Sequence, residues 1–455
     1  MTTHKGADWG RKLVLVLLLS ALPSVGYADW VDVMRNFRPR ISVQEEYTDN
    51  LFYGKTNTVE DYITTISPGL GFSSTENKDV KYGLDLDYAP GFVFYAHNSE
   101  RNYISHAGTL NTWYTFGRGL TFRLWDNIYQ SQNPLERYVT PQSQQPGTYY
   151  QGVNRQRFTY LRNIVQPSLT YQFGREDLVE LSYINNYYDN DNPAVRKTIL
   201  NTITPRFTYW FNINNGIVLE YFYMTGRYDF SPDLAGHRTR GRYTYRFDPQ
   251  TSIFGQYVYD TMNYDSPGVD YYVSSPSVGI THAFSPTLTG KAQVGYFLRN
   301  PERGKSTSGP TVDLGINQLT MRTTYNLSLR GGYSADLSSA QSLGFYQYYR
   351  AIGNITHHLT TRMSAGILGS VGRYDYTDQG RKSWIWRVEG KFSYQLLRWL
   401  TMSFLISHQE DNSDSSTNGY KENRAMIRFT ATPGVVSAGL EPGFWEQVSG
   451  FWEQE

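Results

Sequence analysis

Four arginines within ten residues are the strongest candidates for chemistry in this sequence. The stretch RTRGRYTYRF, residues 238–247, places Arg238, Arg240, Arg242 and Arg246 at even positions and three aromatic residues at odd ones. Successive side chains of a β-strand point to opposite faces, so the stretch predicts one guanidinium face and one aromatic face. A row of guanidiniums can bind a phosphate backbone, line a channel for anions or lie solvated on a surface.

The composition indicates a polar protein built from strands. Its 39 Tyr, 23 Phe, 10 Trp and 40 Gly, with a mean hydropathy of −0.52, favour β-structure over apolar helices. No apolar run reaches about 18 residues, so no transmembrane helix is predicted. Cysteine is absent, which excludes thiolate metal sites and the C-x-x-C-H haem motif. We expect no cofactor and no metal, and a net charge of +1 argues against nucleic acid as a partner.

Residues 1–28 have the features of a secretory signal peptide. A basic segment ending at Lys12 precedes the apolar core LVLVLLLSAL (13–22), and GYA (26–28) forms a small-residue cleavage site. The apolar core is too short for a membrane anchor, which is the alternative. Residues 1–28 hold three Lys or Arg against one Asp, so cleavage lowers the net charge from +1 by 2, to −1.

The rest of the chain alternates apolar and polar residues with a period of two. VKYGLDLDYAPGFVF (80–94), LTGKAQVGYFLR (288–299) and SWIWRVEGKFSYQ (383–395) are examples, and each predicts a strand of roughly ten residues or more. Nine tight turns alternate with ten longer polar connections, so we predict about twenty strands, within a range of 18 to 22. Pro68, Pro167, Pro205 and Pro276 fall inside predicted strands, where each indicates a missing ladder bond or a bulge.

Two architectures accommodate this many amphipathic strands: a soluble propeller or sandwich, and an outer-membrane barrel. The leader, the alternating connection lengths and the aromatic residues near strand ends favour the barrel. We therefore predict an all-β fold, a transmembrane antiparallel up-and-down β-barrel over residues 29–431, with tight turns on the periplasmic side. Outer-membrane lipid and the barrel-assembly machinery are its expected partners.

In such a barrel the arginine stretch has a defined orientation. An arginine on the lipid face costs about 2–4 kcal/mol near the midplane, so Arg238, Arg240, Arg242 and Arg246 are predicted to face the lumen. The same alternation predicts further lumen charges at Arg162, Arg206, Lys291, Arg387, Lys391 and Arg428. Lumen cations then outnumber lumen acids. Two interpretations stay open: ordinary salt bridges along the wall, or a preference for anionic solutes.

Loops and termini carry weaker signals. HNSE (97–100) places His97 near Ser99, as a hydrolase at the barrel rim would require, but no carboxylate is predicted to orient the histidine, and we expect no enzyme. The longest loop, 134–156, is the candidate to fold into the pore. We assign residues 432–455 to a periplasmic tail. Its repeat GFWEQVSGFWEQE (443–455) predicts either docking of export components through 440–455 or a plain overhang.

The start of the mature chain resembles a known family. RISVQEEYTDNLFYG (40–54) and YITTISPGLGF (62–72) are similar to the opening hairpin of outer-membrane β-barrel porins associated with exopolysaccharide systems of the exosortase (PEP-CTERM) type. The resemblance implies an outer-membrane barrel that exports a polysaccharide, and it implies no catalytic residues.

These observations predict an outer-membrane porin-like channel. It would be a conduit for an anionic exopolysaccharide or a path for passive diffusion of solutes. An alternative is a barrel sheath around a multihaem cytochrome, in which the haem belongs to the partner. A third is the rim hydrolase.

Overall fold

The computed structural model describes residues 36–74, 81–133, 157–192, 197–229, 231–336, 344–414 and 419–432. Within them the chain forms twenty antiparallel strands, which confirms the all-β prediction and its strand number. The predicted signal peptide (1–28), the loop 134–156 and residues 433–455 of the predicted tail lie outside the described residues. The strands are β1 Phe37–Thr48, β2 Asp61–Ser73, β3 Tyr82–Tyr95, β4 Tyr103–Phe116, β5 Leu120–Ser131, β6 Tyr160–Gln172, β7 Leu178–Asn190, β8 Lys197–Trp210, β9 Asn215–Tyr228, β10 Leu234–Arg246, β11 Thr251–Tyr264, β12 Tyr271–Ser285, β13 Leu288–Pro301, β14 Thr307–Leu319, β15 Thr323–Asp336, β16 Gly344–Thr360, β17 Met363–Tyr376, β18 Arg381–Leu397, β19 Leu400–Ser413 and β20 Tyr420–Ala431.

The sheet closes on itself. Each strand pairs with the next along the chain, and β1 also pairs with β20 from Ile41↔Ala431 to Thr48↔Arg424. Closure satisfies the backbone of both terminal strands and leaves no sheet edge along this seam. Among the described residues, no helix is long and apolar enough to cross a membrane.

Short and long connections alternate around the barrel, as predicted. One end has connections such as 286–287 and 398–399, and the other has connections such as 49–60 and 132–159. These ends are called the tight-turn end and the long-loop end below. At the tight-turn end, β16 continues through His357 and His358 to Thr360, and the turn follows at 361–362.

Alternation along each strand separates an outer face from an inner face. On β12, Val278 is 61% exposed, whereas Val273 is fully buried and contacts side chains of other strands. On β17, Ile367 is 64% exposed while the adjacent Leu368 is fully buried. Exposed apolar residues on alternate positions form the surface that meets lipid, and the other positions face the lumen.

The four strand prolines leave gaps in the ladder. The β2–β3 register stops at Ile66↔Phe92 and resumes at Leu70↔Tyr88, on either side of Pro68. The same interruption occurs at Pro167, Pro205 and Pro276. The register is unchanged across each gap, because a proline without an N–H omits ladder bonds but inserts no extra residue. At each of these four prolines the strand therefore lacks ladder bonds and has no bulge.

The barrel is not round. Twenty strands spaced about 4.8 Å apart and tilted by about 40° would form a cylinder about 40 Å across, in which strands four places apart lie more than about 20 Å from each other. Yet the Tyr333 hydroxyl of β15 donates a hydrogen bond of 2.6 Å to Asp260 of β11. The wall between β11 and β15 therefore bends into a tight corner.

An apolar cluster fills this corner on the inner face, toward the long-loop end. Its buried members are Leu200, Met224, Tyr228, Leu234, Met262, Tyr271, Val273, Phe297 and Phe345. They come from strands β8 to β13 and from β16, so the corner brings residues together that are far apart along the sheet. Apolar side chains therefore occupy this part of the barrel interior.

Candidate functional site in the barrel lumen

The side chains of the arginine stretch lie on the inner face of β10. Arg246 contacts Glu176, in the turn after β6, and Arg238 contacts Asp260, which also accepts a hydrogen bond from β15. Contacts between strands that are not neighbours form only on the concave side of a closed sheet. At odd positions Tyr243 is 48% exposed on the outer face. The structure thus places the arginines as the alternation predicts.

Two arginines of β10 form close ion pairs with the neighbouring strands. Arg238 Nε lies 2.5 Å from Asp260 Oδ1 and Arg238 Nη2 lies 3.1 Å from Asp260 Oδ2. Asp260 is 2% exposed and also accepts the Tyr333 hydroxyl hydrogen bond. Arg240 Nη2 lies 2.9 Å from Glu220 Oε2 on β9. Both positive charges therefore have a carboxylate partner in the wall.

The other two arginines pack against aromatic rings. Arg246 lies 3.5 Å from the ring centre of Trp210 and forms hydrogen bonds of 3.0 and 2.6 Å with both oxygens of Glu176. Arg242 lies 3.8 Å from the ring centre of Phe254. Three of the four guanidiniums in this stretch are therefore paired with acids, so the wall around β10 is far less positive than its sequence suggests.

The other predicted lumen charges also lie on the inner face, on strands from β6 to β20. Arg162 Nε donates to Asn186 Oδ1 at 2.9 Å, and Lys291 Nζ lies 3.2 Å from Asp313 Oδ2. Arg387 pairs with Glu389 on its own strand. The remaining positions are Arg206, in register between Glu180 and Glu220, Lys391, opposite Leu405, and Arg428, which donates to Gln44 of β1 at 2.5 Å. The structure spreads these residues around the wall and does not gather them into one site.

A second cationic region has a different arrangement. Arg330 of β15 and Arg350 of β16 are direct cross-strand partners, and Arg350 is only 7% exposed. Asp313, in the same row on β14, lies 3.3 Å from Arg330 and also binds Lys291. Like charges directly opposite each other in a sheet are destabilising, and Asp313 offsets part of this repulsion. Our sequence prediction did not include Arg350. Its only signal is the alternation in FYQYYRAIG, where the aromatic residues are more prominent.

Over the described strands β13 to β20 the inner face carries more cations than acids. It has nine cationic side chains and four carboxylates. The cations are Lys291, Arg299, Arg330, Arg350, Arg381, Arg387, Lys391, Arg424 and Arg428, and the carboxylates are Asp313, Glu389, Asp411 and Glu422. Asp378, from the connection after β17, supplies one further acid, to Arg299. The excess of positive charge in this half of the wall is thus about twofold.

At the long-loop end, the first long connection packs inside the barrel. Leu51 is fully buried against Ile63 of β2 and Tyr95 of β3. Arg157, just before β6, donates from Nε to the Leu51 carbonyl at 2.7 Å and stacks on Tyr53 at 5.9 Å. Arg157 therefore joins this loop to the segment before β6. The predicted pore loop, 134–156, lies outside the described residues, and the sequence did not indicate this role for residues 49–60.

The His97 region offers a carboxylate that the sequence did not predict. Asp61 Oδ1 lies 3.9 Å from His97 Nδ1, too far for a hydrogen bond, and Asp61 accepts bonds from the backbone N–H of His97 and the side chain of Asn98. Both residues are described, and no hydrogen bond joins the Ser99 hydroxyl to the His97 ring. Nothing in this geometry activates a nucleophile.

Comparison with known proteins agrees with a closed barrel of alternating strands. Residues 233–432, which contain β10 to β20, match the family model described as "Putative beta-barrel porin 2". The match covers the second half of the barrel, so this half is similar to a β-barrel porin, as the resemblance of the opening hairpin predicts. The closed antiparallel barrel of twenty strands is the fold of the outer-membrane class. The association with exopolysaccharide systems stays a prediction.

Solved structures align with most of this chain at low identity. Outer membrane protein OpdK of Pseudomonas aeruginosa aligns with a TM-score of 0.43 and 8% identity over 87% of this chain and 98% of that chain. OccAB4 of Acinetobacter baumannii gives 0.41 and 11% over 87% and 98%, and OprD of Pseudomonas aeruginosa gives 0.39 and 10% over 88% and 96%. Among curated proteins, none matches this chain.

Proposed function

We propose that this porin is a passive channel that favours anionic solutes, among them segments of an acidic polysaccharide. The observation that carries the proposal is the charge of the inner face from β13 to β20, with nine cations and four carboxylates. An excess of one sign of charge on a wall with low-dielectric surroundings raises the local concentration of counter-ions. Anions would therefore enter and cross more readily than cations.

The long-loop segments outside the described residues do not offset this charge. By sequence, residues 134–156 contain one acid, Glu136, and two arginines, Arg137 and Arg155, and residues 193–196 add Arg196. Residues 337–343 and 415–418 carry no charge. The excess of positive charge from β13 to β20 is therefore not offset by these segments.

Aromatic residues on the inner face support the polysaccharide part of the proposal. Trp210 stacks with Arg246, and Trp113 stacks with Arg123 at 6.0 Å, both near the tight-turn end. A ring face next to a guanidinium can bind the apolar face of a pyranose and the carboxylate of a uronic acid together, and Trp113 beside Arg123 offers this combination. The guanidinium of Arg246 is already paired with Glu176, so Trp113 and Arg123 are the site that would guide an acidic glycan into the lumen.

Ion selectivity of the purified full-length porin tests the proposal. In a planar bilayer with a potassium chloride gradient, the reversal potential should lie toward the chloride equilibrium potential, more strongly at low salt because salt screens the wall charge. An oligogalacturonate added to one side should reduce the current. A channel that prefers potassium would contradict the preference for anions. A current that the oligosaccharide does not reduce would contradict the polysaccharide part of the proposal. The cytochrome sheath stays a prediction, for which haem absorbance of the purified protein is the measurement.

A further inference from the structure

Over the described strands, the outer face of the barrel carries one charged residue far from both strand ends. Asp126 lies on the outer face of β5, six residues from Leu120 and five from Ser131. Every other charged residue on the outer face of the described strands lies within the last four positions at the long-loop end. Those residues are Glu45, Asp189, Lys197, Arg227, Arg373, Asp375, Lys382, Glu410 and Lys421.

The strand register fixes the depth of Asp126. One row of paired residues begins at Phe37, at the tight-turn end of β1, passes through Asp126 and reaches Asn263 beside the long-loop end of β11. Such rows run perpendicular to tilted strands and therefore climb steadily around the barrel. Asp126 lies along the climbing part of the row, at mid-height. An apolar band about 25 Å tall would include it.

Asp126 belongs to a set of polar side chains on the outer face of four adjacent strands. Asn163 Nδ2 donates to Asp126 Oδ1 at 2.6 Å. Asn201 Oδ1 accepts hydrogen bonds from Asn185 Nδ2 at 2.8 Å and from the Tyr183 hydroxyl at 2.7 Å. These five residues are called the lateral patch.

The lateral patch is surrounded by ordinary lipid-facing positions. Exposed apolar residues flank it on the same strands: Ile128, Leu169, Leu181 and Ile203, each 40–44% exposed. Elsewhere the middle of the outer face is apolar, as at Val294, Leu314 and Ile367. Polar and ionisable groups at membrane depth are costly in lipid, and they mediate contacts between membrane proteins when they find partners.

We propose that the lateral patch is the contact between two copies of this porin in the outer membrane. Within the described structure, Asn201 Nδ2 has no acceptor and Asn185 Oδ1 has no donor, so these two residues present a donor and an acceptor side by side. A two-fold axis places the donor of one copy opposite the acceptor of the other. The occupant that this arrangement fits best is therefore the same surface of a second copy.

Cysteine cross-linking tests the proposal directly, because the chain contains no cysteine. Asn185→Cys should give a disulfide-linked or bis-maleimide-linked dimer in native outer membranes. Ile367→Cys, on the outer face of β17 and 64% exposed, is the matched control and should stay monomeric. Monomer for both variants, dimer for both, or linkage of Asn185→Cys to a different protein would each overturn the contact between copies.

A second variant separates a contact from a misplaced polar patch in lipid. Asp126→Leu combined with Asn185→Leu should convert the dimer to a monomer in native mass spectrometry while the barrel stays folded and heat-modifiable. If the patch faces lipid, the same variant keeps the mass of the wild type and only gains thermal stability, which overturns the proposal. Neither readout depends on ion selectivity, so the result is independent of the channel function.

Discussion

Two regions of the lumen wall hold arginines in opposite ways. In β9 to β11 the four arginines of β10 are adjacent in sequence, and two of them pair with acids on the strands beside them, Asp260 and Glu220. In β14 to β16 the cations are far apart in sequence, yet Arg330 and Arg350 stand directly opposite each other with Asp313 as the acid of their row. The arginine cluster that is conspicuous in the sequence, on β10, therefore lies in the region of the wall whose charges are better balanced.

The difference shows that a cluster of like charges in sequence does not measure the field in a barrel. A residue of a strand is surrounded by the two neighbouring strands, so the charge of the wall is set by the register of three strands together. Around β10 the register matches opposite charges. Around β15 and β16 it juxtaposes like charges, and this is the region to which we assign the preference for anions.

The largest effect is expected from breaking the Arg238–Asp260 pair, in which the carboxylate is buried and the guanidinium is 44% exposed. Arg238→Gln leaves Asp260, which is 2% exposed, without its cation, so the free energy of unfolding should fall by about 1–3 kcal/mol. Urea titration of the porin in lipid vesicles measures it. The double variant Arg238→Gln with Asp260→Asn removes both charges and should recover most of the loss. Equal stability of the single variant and the wild type would show that Asp260 does not need Arg238.

The next largest effect concerns selectivity and sets the two regions directly against each other. Replacing Arg330 and Arg350 together by Gln should move the reversal potential toward the potassium equilibrium potential, most visibly at low salt. The ratio of chloride to potassium permeability should fall several-fold. The control, Arg240→Gln with Glu220→Gln, removes a matched pair from β10 and should leave selectivity unchanged. A larger shift in the control than in the test variant would reverse our assignment of the two regions.

Much of this architecture is predictable from sequence because it depends on local alternation. The twenty strands, the alternating connections and the inward direction of Arg238 follow from period-two patterning. The partners do not, since the Arg246 pair joins residues 70 positions apart and the Tyr333–Asp260 bond joins residues 73 apart. The corner at β11 to β15 that permits the second bond is a property of the closed sheet, and no single strand encodes it.

A smaller effect is expected at the long-loop end, where Arg157 holds the first long loop. Arg157→Ala removes its bond to the Leu51 carbonyl and its stacking on Tyr53, a contact worth about 0.5–2 kcal/mol. The loop should then occupy the mouth less firmly. Single-channel recordings should show a higher and noisier conductance, with selectivity unchanged because the charges of β13 to β20 remain. Arg157→Lys is the control that keeps the positive charge. If Arg157→Ala has the conductance of the wild type, the loop stays in place without the arginine.

The smallest effect is expected at the tight-turn end, where Arg246 and Glu176 form an exposed pair beside Trp210. The hydrogen bond from Arg246 lowers the pKa of Glu176 below its usual value. Because the pKa in the folded state is the lower one, the pair stabilises the barrel above about pH 4.3 and this contribution is lost as the pH falls through the folded pKa. Glu176 is nearly half exposed, so the pair is worth about 0.2–1 kcal/mol. Glu176→Gln should therefore lower the unfolding free energy slightly at pH 7 and leave it unchanged at pH 3, whereas equal losses at both pH values would assign the effect to packing of the side chain and not to its charge.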